Sequence, residues 1–213
     1  GKVGRTEHDA LKIPLTAGDD YGVVAVKAII KPHGRYGKPL VVDLPLDGVS
    51  AKTVSQTSYR DLTAHPYAGL DVDIVLQAID GAGQSGFSKP QRFTLPARVF
   101  TNALARALIE QRQVLATGDV RQRSRVTDTL DALTIAPDKF YQDQINVYLG
   151  LRTIYWSMKS ANESADYARV QDLLWQMATN LERGGLMSAA EQLRRLQQMI
   201  TQALEQGSPQ GVI

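Results

Sequence analysis

The sequence predicts an α+β protein with two domains, an antiparallel β-sandwich over residues 8–96 and an all-α helical bundle over residues 97–213. The first observation is the length, because 213 residues suffice for two small domains that each bury a core. The second is the spacing of apolar residues, which changes near Pro96 from every second position to every third or fourth. The third is the composition, since 43% apolar and 22% charged residues are typical of a folded globular chain.

Antiparallel strands are predicted between residues 11 and 95, where short apolar runs alternate with turns rich in Gly, Pro and Asp. The clearest strand covers residues 71–80, because a one-residue slip would bury Asp71 and Asp73. Further strands are expected over residues 21–30, 39–46 and 91–95. Short strands with a turn about every ten residues predict an immunoglobulin-like β-sandwich. The apolar face expected for residues 71–80 consists of Val72, Ile74, Leu76 and Ala78.

Helices are predicted after Pro96, where the apolar residues recur at a spacing of three and four. The first is expected over about residues 99–115 and ends at Thr117-Gly118. A second is expected over about residues 121–133. A third, over about residues 137–159, begins at a proline, which suits a first helical position.

Two capping-box patterns predict the starts of two more helices. They are Ser160 with Glu163 and Ser188 with Glu191, in which each side chain would bond the other residue's backbone amide. The pair Gly184-Gly185 between them predicts the end of the first of these helices. Four or five helices with short connections predict a bundle or a stack of hairpins.

Charge argues against a nucleic-acid partner. The chain has 24 Lys plus Arg against 22 Asp plus Glu, and the two halves, divided after Arg98, have nearly balanced charge. Nucleic-acid-binding domains usually concentrate basic residues, because neutralising phosphates supplies much of their affinity. The absence of cysteine is compatible with the cytosol and with the periplasm.

Two glycine-rich segments match the sequence patterns of phosphate-binding loops but lack the helix that should follow them. Residues 81–86, GAGQSG, fit G-x-G-x-x-G, but the following FSKP leads into another strand and not into the helix that a nucleotide site needs. Residues 34–38, GRYGK, are followed by Pro39, which blocks a helix after the lysine. We therefore expect hairpin turns at both places.

Reactive or metal-binding constellations are not evident in the sequence. His8, His33 and His65 are scattered and form no zinc motif, there is no G-x-S-x-G, and there is no cysteine nucleophile. Turn carboxylates such as Asp19, Asp20 and Asp80 could ligate calcium, but turn aspartates normally cap their own backbone. We predict no catalytic, cofactor-binding or metal-binding residues and no enzymatic activity.

Two sets of side chains remain as candidates for recognition. Arg121, Arg123 and Arg125 would spread around a helix, so we expect solvated arginines and not a phosphate clamp. Four aromatic residues of the helical half could line a groove for a sugar or a peptide, although packing in the core is the expected role. They are Tyr148, Tyr155, Trp156 and Trp175.

Several segments resemble known bacterial proteins. Residues 15–23 (LTAGDDYGV) and 73–84 (DIVLQAIDGAGQ) resemble the first and penultimate strands of bacterial immunoglobulin-like domains. Three further segments resemble an uncharacterised family of large alphaproteobacterial envelope proteins, filed as a domain of unknown function. They are residues 95–112 (LPARVFTNALARALIEQR), 174–178 (LWQMA) and 181–207.

This resemblance implies a cellular setting and no catalytic residues. Members of the family have transmembrane helices near the N-terminus, followed by a periplasmic sandwich and long helices. The present sequence departs from them in lacking the membrane helices and an acidic run at 208–211, where it has SPQG. It begins at Gly1 and not at Met and ends at Ile213, so we expect a fragment of a longer protein.

The expected function is that of a non-catalytic periplasmic interaction or scaffold region of a membrane-anchored envelope protein. Its partner would be another envelope protein. A homo-oligomer through the last helix is a further expectation, because Leu193, Leu196, Ile200 and Leu204 form an apolar stripe. The alternative is a module that binds envelope glycan, which would require exposed aromatic residues in the N-terminal half.

Overall fold

A computed structural model describes residues 1–48, 51–142 and 144–206, and it describes their side chains except those of residues 51, 185–193 and 195–206. In these residues a seven-stranded antiparallel sheet is followed by five helices. The strands are β1 (Gly4–Arg5), β2 (Leu11–Pro32), β3 (Leu40–Leu44), β4 (Ala51–Arg60), β5 (Asp71–Asp80), β6 (Ser85–Phe87) and β7 (Gln91–Thr94). The helices are α1 (Ala103–Ala116), α2 (Arg123–Ala132), α3 (Pro137–Phe140), α4 (Ile145–Ser160) and α5 (Ser164–Gln206), and a 3-10 turn (Val120–Gln122) precedes α2.

The 22-residue strand β2 organises the sheet. Val23 pairs with Ala51 of β4 and with Asp80 of β5, so β4 and β5 lie on opposite edges of β2. Along one edge β2 pairs first with β4 and then with β3, and along the other first with β1 and then with β5. Both the β4 and the β5 registers shift near Val23, next to Gly22 at φ 81°. An irregularity of this kind bends a strand and changes which residues face the core.

The bend allows both halves of β2 to bury side chains in one hydrophobic cluster. Leu11, Ile13 and Leu15 are buried in the first half, and Val26, Ala28 and Ile30 in the second, so the buried positions change from odd to even numbers. Val72 and Ile74 of β5 complete this core as predicted, and the predicted strand 71–80 is confirmed. The antiparallel sheet is confirmed, and the immunoglobulin-like arrangement stays a prediction.

The first helix begins later than residue 99. Val99 is 80% exposed and the chain is irregular up to Asn102, whose side chain accepts a hydrogen bond from the Ala105 amide and caps α1. Upstream of this cap, Glu182 of α5 accepts hydrogen bonds from the backbone amides of Thr101 and Asn102. These bonds satisfy the backbone amides just before α1, so this segment is held in place without being helical. The predicted stop at Thr117-Gly118 is confirmed, with Gly118 at φ 71°.

The single helix expected over residues 137–159 is wrong, because the structure divides this segment into α3 and α4. Tyr141 ends α3 with φ −128°, and its hydroxyl donates to the Leu133 carbonyl at 2.6 Å, which holds the chain back against the end of α2. Phe140 is consequently 71% exposed and does not belong to the apolar stripe.

Both predictions for the last helices are also wrong in their boundaries. Ser160 is the last residue of α4, and its hydroxyl donates to the Trp156 carbonyl. The start of α5 is capped instead by Asp166, which accepts from the amides of Asn162 and Glu163. Helix α5 then continues through the Gly184-Gly185 pair and through residues 188–191, since helical glycine costs stability without forbidding the helix.

The helices enclose a second hydrophobic cluster. Leu108 of α1, Leu130 of α2, Leu151 of α4 and Leu174 of α5 are fully buried in it. Helix α1 runs antiparallel to α5, because Thr101 contacts Glu182 while the Arg112 Nε donates to the Gln171 carbonyl. None of the helices in the described part of the chain has the length and apolar composition needed to cross a bilayer. The domain boundary at residue 96 stays a prediction.

Candidate functional site

The sheet and the helices meet at a joint formed by the β2–β3 loop and the end of α1. A Cβ on Gly37 of this loop would lie 2.7 Å from the Tyr67 hydroxyl and 3.0 Å from the Ala116 carbonyl oxygen. A Cβ on Gly118 would lie 3.3 Å from the Tyr36 carbonyl oxygen. Glycine on both sides therefore lets the two backbones approach closely.

Three hydrogen bonds hold this joint. The Tyr67 hydroxyl donates to the Lys38 carbonyl at 2.5 Å and positions the loop on the sheet. The Lys38 Nζ donates to the Ser164 Oγ at the start of α5, at 2.9 Å. The Gln113 Nε2 of α1 donates to the Ala68 carbonyl at 2.7 Å. The residues that close the joint thus come from the β2–β3 loop, the β4–β5 loop, α1 and α5.

A cleft of about 370 Å³ opens at this joint. We call it the junction cleft. Tyr36, Lys38 and His65 line it from the sheet, and Arg123 and Tyr167 line it from the helices. A second cavity of about 440 Å³ adjoins it and shares Tyr36 and Asp119 with it. Pockets of this size accommodate small molecules or single side chains of a partner.

The junction cleft is electropositive. Lys38 and Arg123 line the cleft itself, while Arg35 and Arg121 line the adjoining cavity. The one carboxylate among these lining residues, Asp119, accepts two hydrogen bonds from the Arg121 side chain. Hydrogen bonds from Arg121, first from its side chain and then from its backbone amide, lower the pKa of Asp119. Asp119 therefore stays ionised and is engaged with Arg121.

His65 lies in the cleft as a neutral ring at pH 7. Burial, with a smaller contribution from the positive charge of Arg112, lowers the pKa of His65 to about 4. Its Nδ1 accepts a hydrogen bond from the Tyr67 amide at 3.1 Å, so the ring proton resides on Nε2. Arg112 is only 5% exposed and lies over the Trp175 ring at 4.7 Å. His65 thus offers a donor N–H and not a positive charge.

The structure separates the other candidate residues of the sequence. Residues 81–84 form the turn between β5 and β6, and residues 85 and 86 belong to β6, so the segment is part of a hairpin as expected. Asp80 accepts from the amides of Ala82 and Gln84 in the β5–β6 turn. Asp19 lies not in the expected turn but at the irregularity of β2, where it accepts from the Tyr21 amide. His33 lies on the sheet surface, where its Nδ1 is 2.7 Å from Asp73. No cluster of three metal-binding side chains occurs in the residues described.

The arginines and the aromatic residues are distributed over several places. Arg121 and Arg123 lie at the two adjoining cavities, whereas Arg125 is exposed and lines neither. Trp175 packs edge-on against Phe100 in the helical core, at 5.8 Å between ring centres. Trp156 is 55% exposed. Tyr155 and Trp156 form a neighbouring pair, beside the cations of Arg152 and Lys159.

Sequence reasoning missed Lys38 as a cleft residue. Residues 34–38 do not form a phosphate loop, but Gly37 among them brings the β2–β3 loop onto the end of α1. The sequence feature that could have indicated this contact is Gly118 at the end of α1. A glycine at a helix end together with a glycine-rich loop elsewhere in the chain allows two backbones to approach closely.

Comparison with known proteins gives a family and no activity. A search of the curated proteins finds no match. The sequence model of one family, described as a domain of unknown function (DUF4175), matches residues 1–213. Because the match covers the chain from end to end, the protein belongs to the DUF4175 family.

Proposed function

We propose that this chain is a non-catalytic interaction region of a membrane-anchored protein of the bacterial envelope, and that the junction cleft is its recognition surface. The observation that carries the proposal is the cleft itself, whose walls come from both halves of the chain. Close glycine contacts and two hydrogen bonds, Lys38 to Ser164 and Gln113 to Ala68, fix the two walls relative to each other. A preformed site of this kind binds with little ordering cost.

The chemistry of the cleft supports binding and not catalysis. A general base works best when its pKa lies near the working pH. His65 has a pKa of about 4, and its Nδ1 already accepts the Tyr67 amide proton. Asp119 is bonded to Arg121, and the Tyr67 hydroxyl donates to a backbone carbonyl. Asp119 and Tyr67 thus have structural partners, and the unprotonated nitrogen of His65 is already an acceptor.

The finer features of the proposal rest on the resemblance of the sequence. We infer an alphaproteobacterial origin, a periplasmic location and a membrane anchor elsewhere in the parent protein. We also infer that the bent sheet is a variant of the immunoglobulin-like sandwich. In its favour, both halves of β2 contribute to one core, as the two layers of a sandwich do.

Site-specific photo-crosslinking in cells tests this function. A photoreactive phenylalanine replaces Tyr36, which is 79% exposed at the cleft, in the full-length parent protein. Tyr59, which is 52% exposed on β4 away from the cleft, is the matched control position. We expect a discrete adduct from position 36 that is absent at position 59. Equal adducts at both positions, or none at position 36, would contradict the proposal.

A second copy of the chain is proposed as a partner through α5. Helix α5 has 43 residues and is about 65 Å long, whereas its antiparallel partner α1 reaches only to Glu182. The apolar stripe at 193, 196, 200 and 204 lies beyond that point, and its side chains lie outside the described residues. Light scattering at high protein concentration is expected to show a dimer or a larger oligomer, and a monomer would contradict this proposal.

The alternative function is binding of envelope glycan. This function requires exposed aromatic residues in the N-terminal half, and Tyr21 and Phe87 are exposed there. Trp156 of α4 is a further exposed aromatic ring, beside the cations of Arg152 and Lys159. An exposed aromatic face is a common platform for a sugar ring. A peptidoglycan pull-down that retains the protein, and loses it in Trp156→Ala, would support this alternative. Equal retention of protein and variant would refute it.

A further inference from the structure

We propose that the junction cleft binds an anionic group, a carboxylate or a phosphate, beside Lys38 and Arg123, with the remainder of the ligand against Tyr36 and Tyr167. This inference rests on the proposed function, because it names the chemistry of what the same cleft recognises. It goes beyond that function by assigning the charge of the ligand and the two cations that receive it.

The first argument is that the two cations lack a carboxylate partner. The Lys38 Nζ donates to the Ser164 hydroxyl, which leaves two of its three N–H donors available. Arg123 lies with its guanidinium carbon 4.0 Å from the centre of the Tyr167 ring. Neither cation is within ion-pair distance of a carboxylate in the part of the chain that the structure describes. Two cations without a carboxylate within ion-pair distance favour an external anion.

The second argument is the balance of charge over the two adjoining cavities. Their lining contains four cations, Arg35, Lys38, Arg121 and Arg123, and one carboxylate, Asp119. This local excess of three positive charges exceeds the net charge of +2 of the whole chain. The rest of the surface is therefore slightly acidic, and an anion is attracted to this place and not to the molecule as a whole.

The third argument is the arrangement of neutral donors and apolar walls. His65 adds a donor N–H at its Nε2, because its Nδ1 is an acceptor. Leu115, Ala116 and Ala168 contribute apolar surface to the cleft. Apolar walls exclude water and strengthen the attraction between a bound anion and a cation. Tyrosine and guanidinium faces also suit a planar or apolar body attached to the anionic group.

The test is a titration of the 213-residue protein with two anion probes, inorganic phosphate and succinate, at constant ionic strength set with sodium chloride. Amide chemical shifts of Gly37, Gly118 and Ser164 report binding at the cleft. The variants are Lys38→Gln and Arg123→Gln, which remove one cation each. The matched controls are Lys52→Gln and Arg125→Gln, at exposed positions outside the cleft.

We expect saturable shifts at the three reporter amides and an affinity about tenfold lower in each cleft variant, since a charge-assisted hydrogen bond is lost. The control variants keep the affinity of the parent protein. Saturation by phosphate alone assigns a phosphate ligand, and saturation by succinate alone assigns a carboxylate. Arg123→Gln leaves the Lys38–Ser164 bond intact, so its result stands even where Lys38→Gln loosens the joint.

Two outcomes would overturn the inference. One is the absence of saturable shifts with both probes, and the other is an equal loss of affinity in the cleft and control variants. A crosslinked partner at position 36 combined with either outcome would refute the anionic ligand and leave the proposed function standing. Saturable anion binding without any crosslinked partner would support the anionic ligand and refute the proposed function.

Discussion

Replacing Gly37 by alanine tests the joint on which the cleft depends. The added Cβ would lie 2.7 Å from the Pro32 Cγ, 2.7 Å from the Tyr67 hydroxyl and 3.0 Å from the Ala116 carbonyl oxygen. The backbone of Gly37 is not in the left-handed region, so alanine tests contact and not conformational strain. Gly118→Ala would mix the two effects, because Gly118 has a φ of 71°.

The expected loss of stability follows from these contacts. The distance to Pro32 is about 0.8 Å shorter than the ~3.5 Å optimum for non-bonded carbon atoms. The proline ring is rigid, and the Ala116 oxygen belongs to the backbone of α1, so neither can rotate away. Moving Tyr67 aside would break its hydrogen bond to the Lys38 carbonyl. Overpacking of this kind costs about 1–3 kcal/mol in free energy of unfolding.

Urea unfolding followed by circular dichroism measures this free energy. Gly86→Ala is the matched control, because a Cβ at this position in β6 meets no atom within 4 Å and the backbone is not left-handed. The control is expected to be neutral or slightly stabilising, since glycine weakens a strand. Equal unfolding midpoints for the two variants would show that the loop does not pack on α1 as described, and would remove the basis of the cleft.

Three further variants test other parts of the structure. Gly184→Ala is expected to stabilise the protein by about 0.5–1 kcal/mol if α5 is continuous, because nothing lies near its Cβ, and to destabilise it if the helix ends there. The protein is expected to lose stability as the pH falls from 6.5 to about 4, because the lowered pKa of His65 means that the unfolded chain binds a proton that the folded protein does not bind. His65→Gln should abolish this loss. Hydrogen bonds from the side chain of Thr101 and from the backbone of Asn102 and Thr101 lower the pKa of Glu182. The stability of the protein should therefore fall as the pH falls below 4.5, and Glu182→Gln should remove that loss. Urea midpoints measured across pH check the last two, and pH profiles unchanged by the substitutions would contradict them.

The strands that the sequence revealed are those with strong one-sided burial. Strand β5 has charged residues alternating with Val72 and Ile74, and its predicted range agrees with the structure. Strand β4 has the polar sequence AKTVSQTSYR, in which Val54 is the only buried aliphatic side chain among residues 52–60, so the spacing of apolar residues did not predict a strand. Its place comes from pairing along β2, a contact between segments about forty residues apart that no local pattern encodes.

Two helix boundaries differ from the prediction because a side chain outside the helix bonds the backbone nearby. Glu182 bonds the amides of Thr101 and Asn102 from a position eighty residues away, which makes a late helix start favourable. The Tyr141 hydroxyl likewise bonds the Leu133 carbonyl and ends α3 early. At the start of α5 the cap is local but differs from the predicted one: Asp166 accepts from the amides of Asn162 and Glu163, whereas the Ser160 hydroxyl donates to the Trp156 carbonyl within α4.

The charge of the cleft illustrates why a sequence near neutrality can still build a site for an anion. Arg35 and Lys38 belong to one loop, and Arg121 and Arg123 lie about eighty-five residues further along the chain. Neither pair of cations is unusual in its own segment of the sequence, and the net charge of the whole chain is only +2. The glycine contacts between the β2–β3 loop and α1 bring the two pairs to adjoining cavities with Asp119 as the one lining carboxylate. The electrostatic field is therefore a product of the joint, and a substitution that opens the joint should weaken anion binding even though it removes no charge.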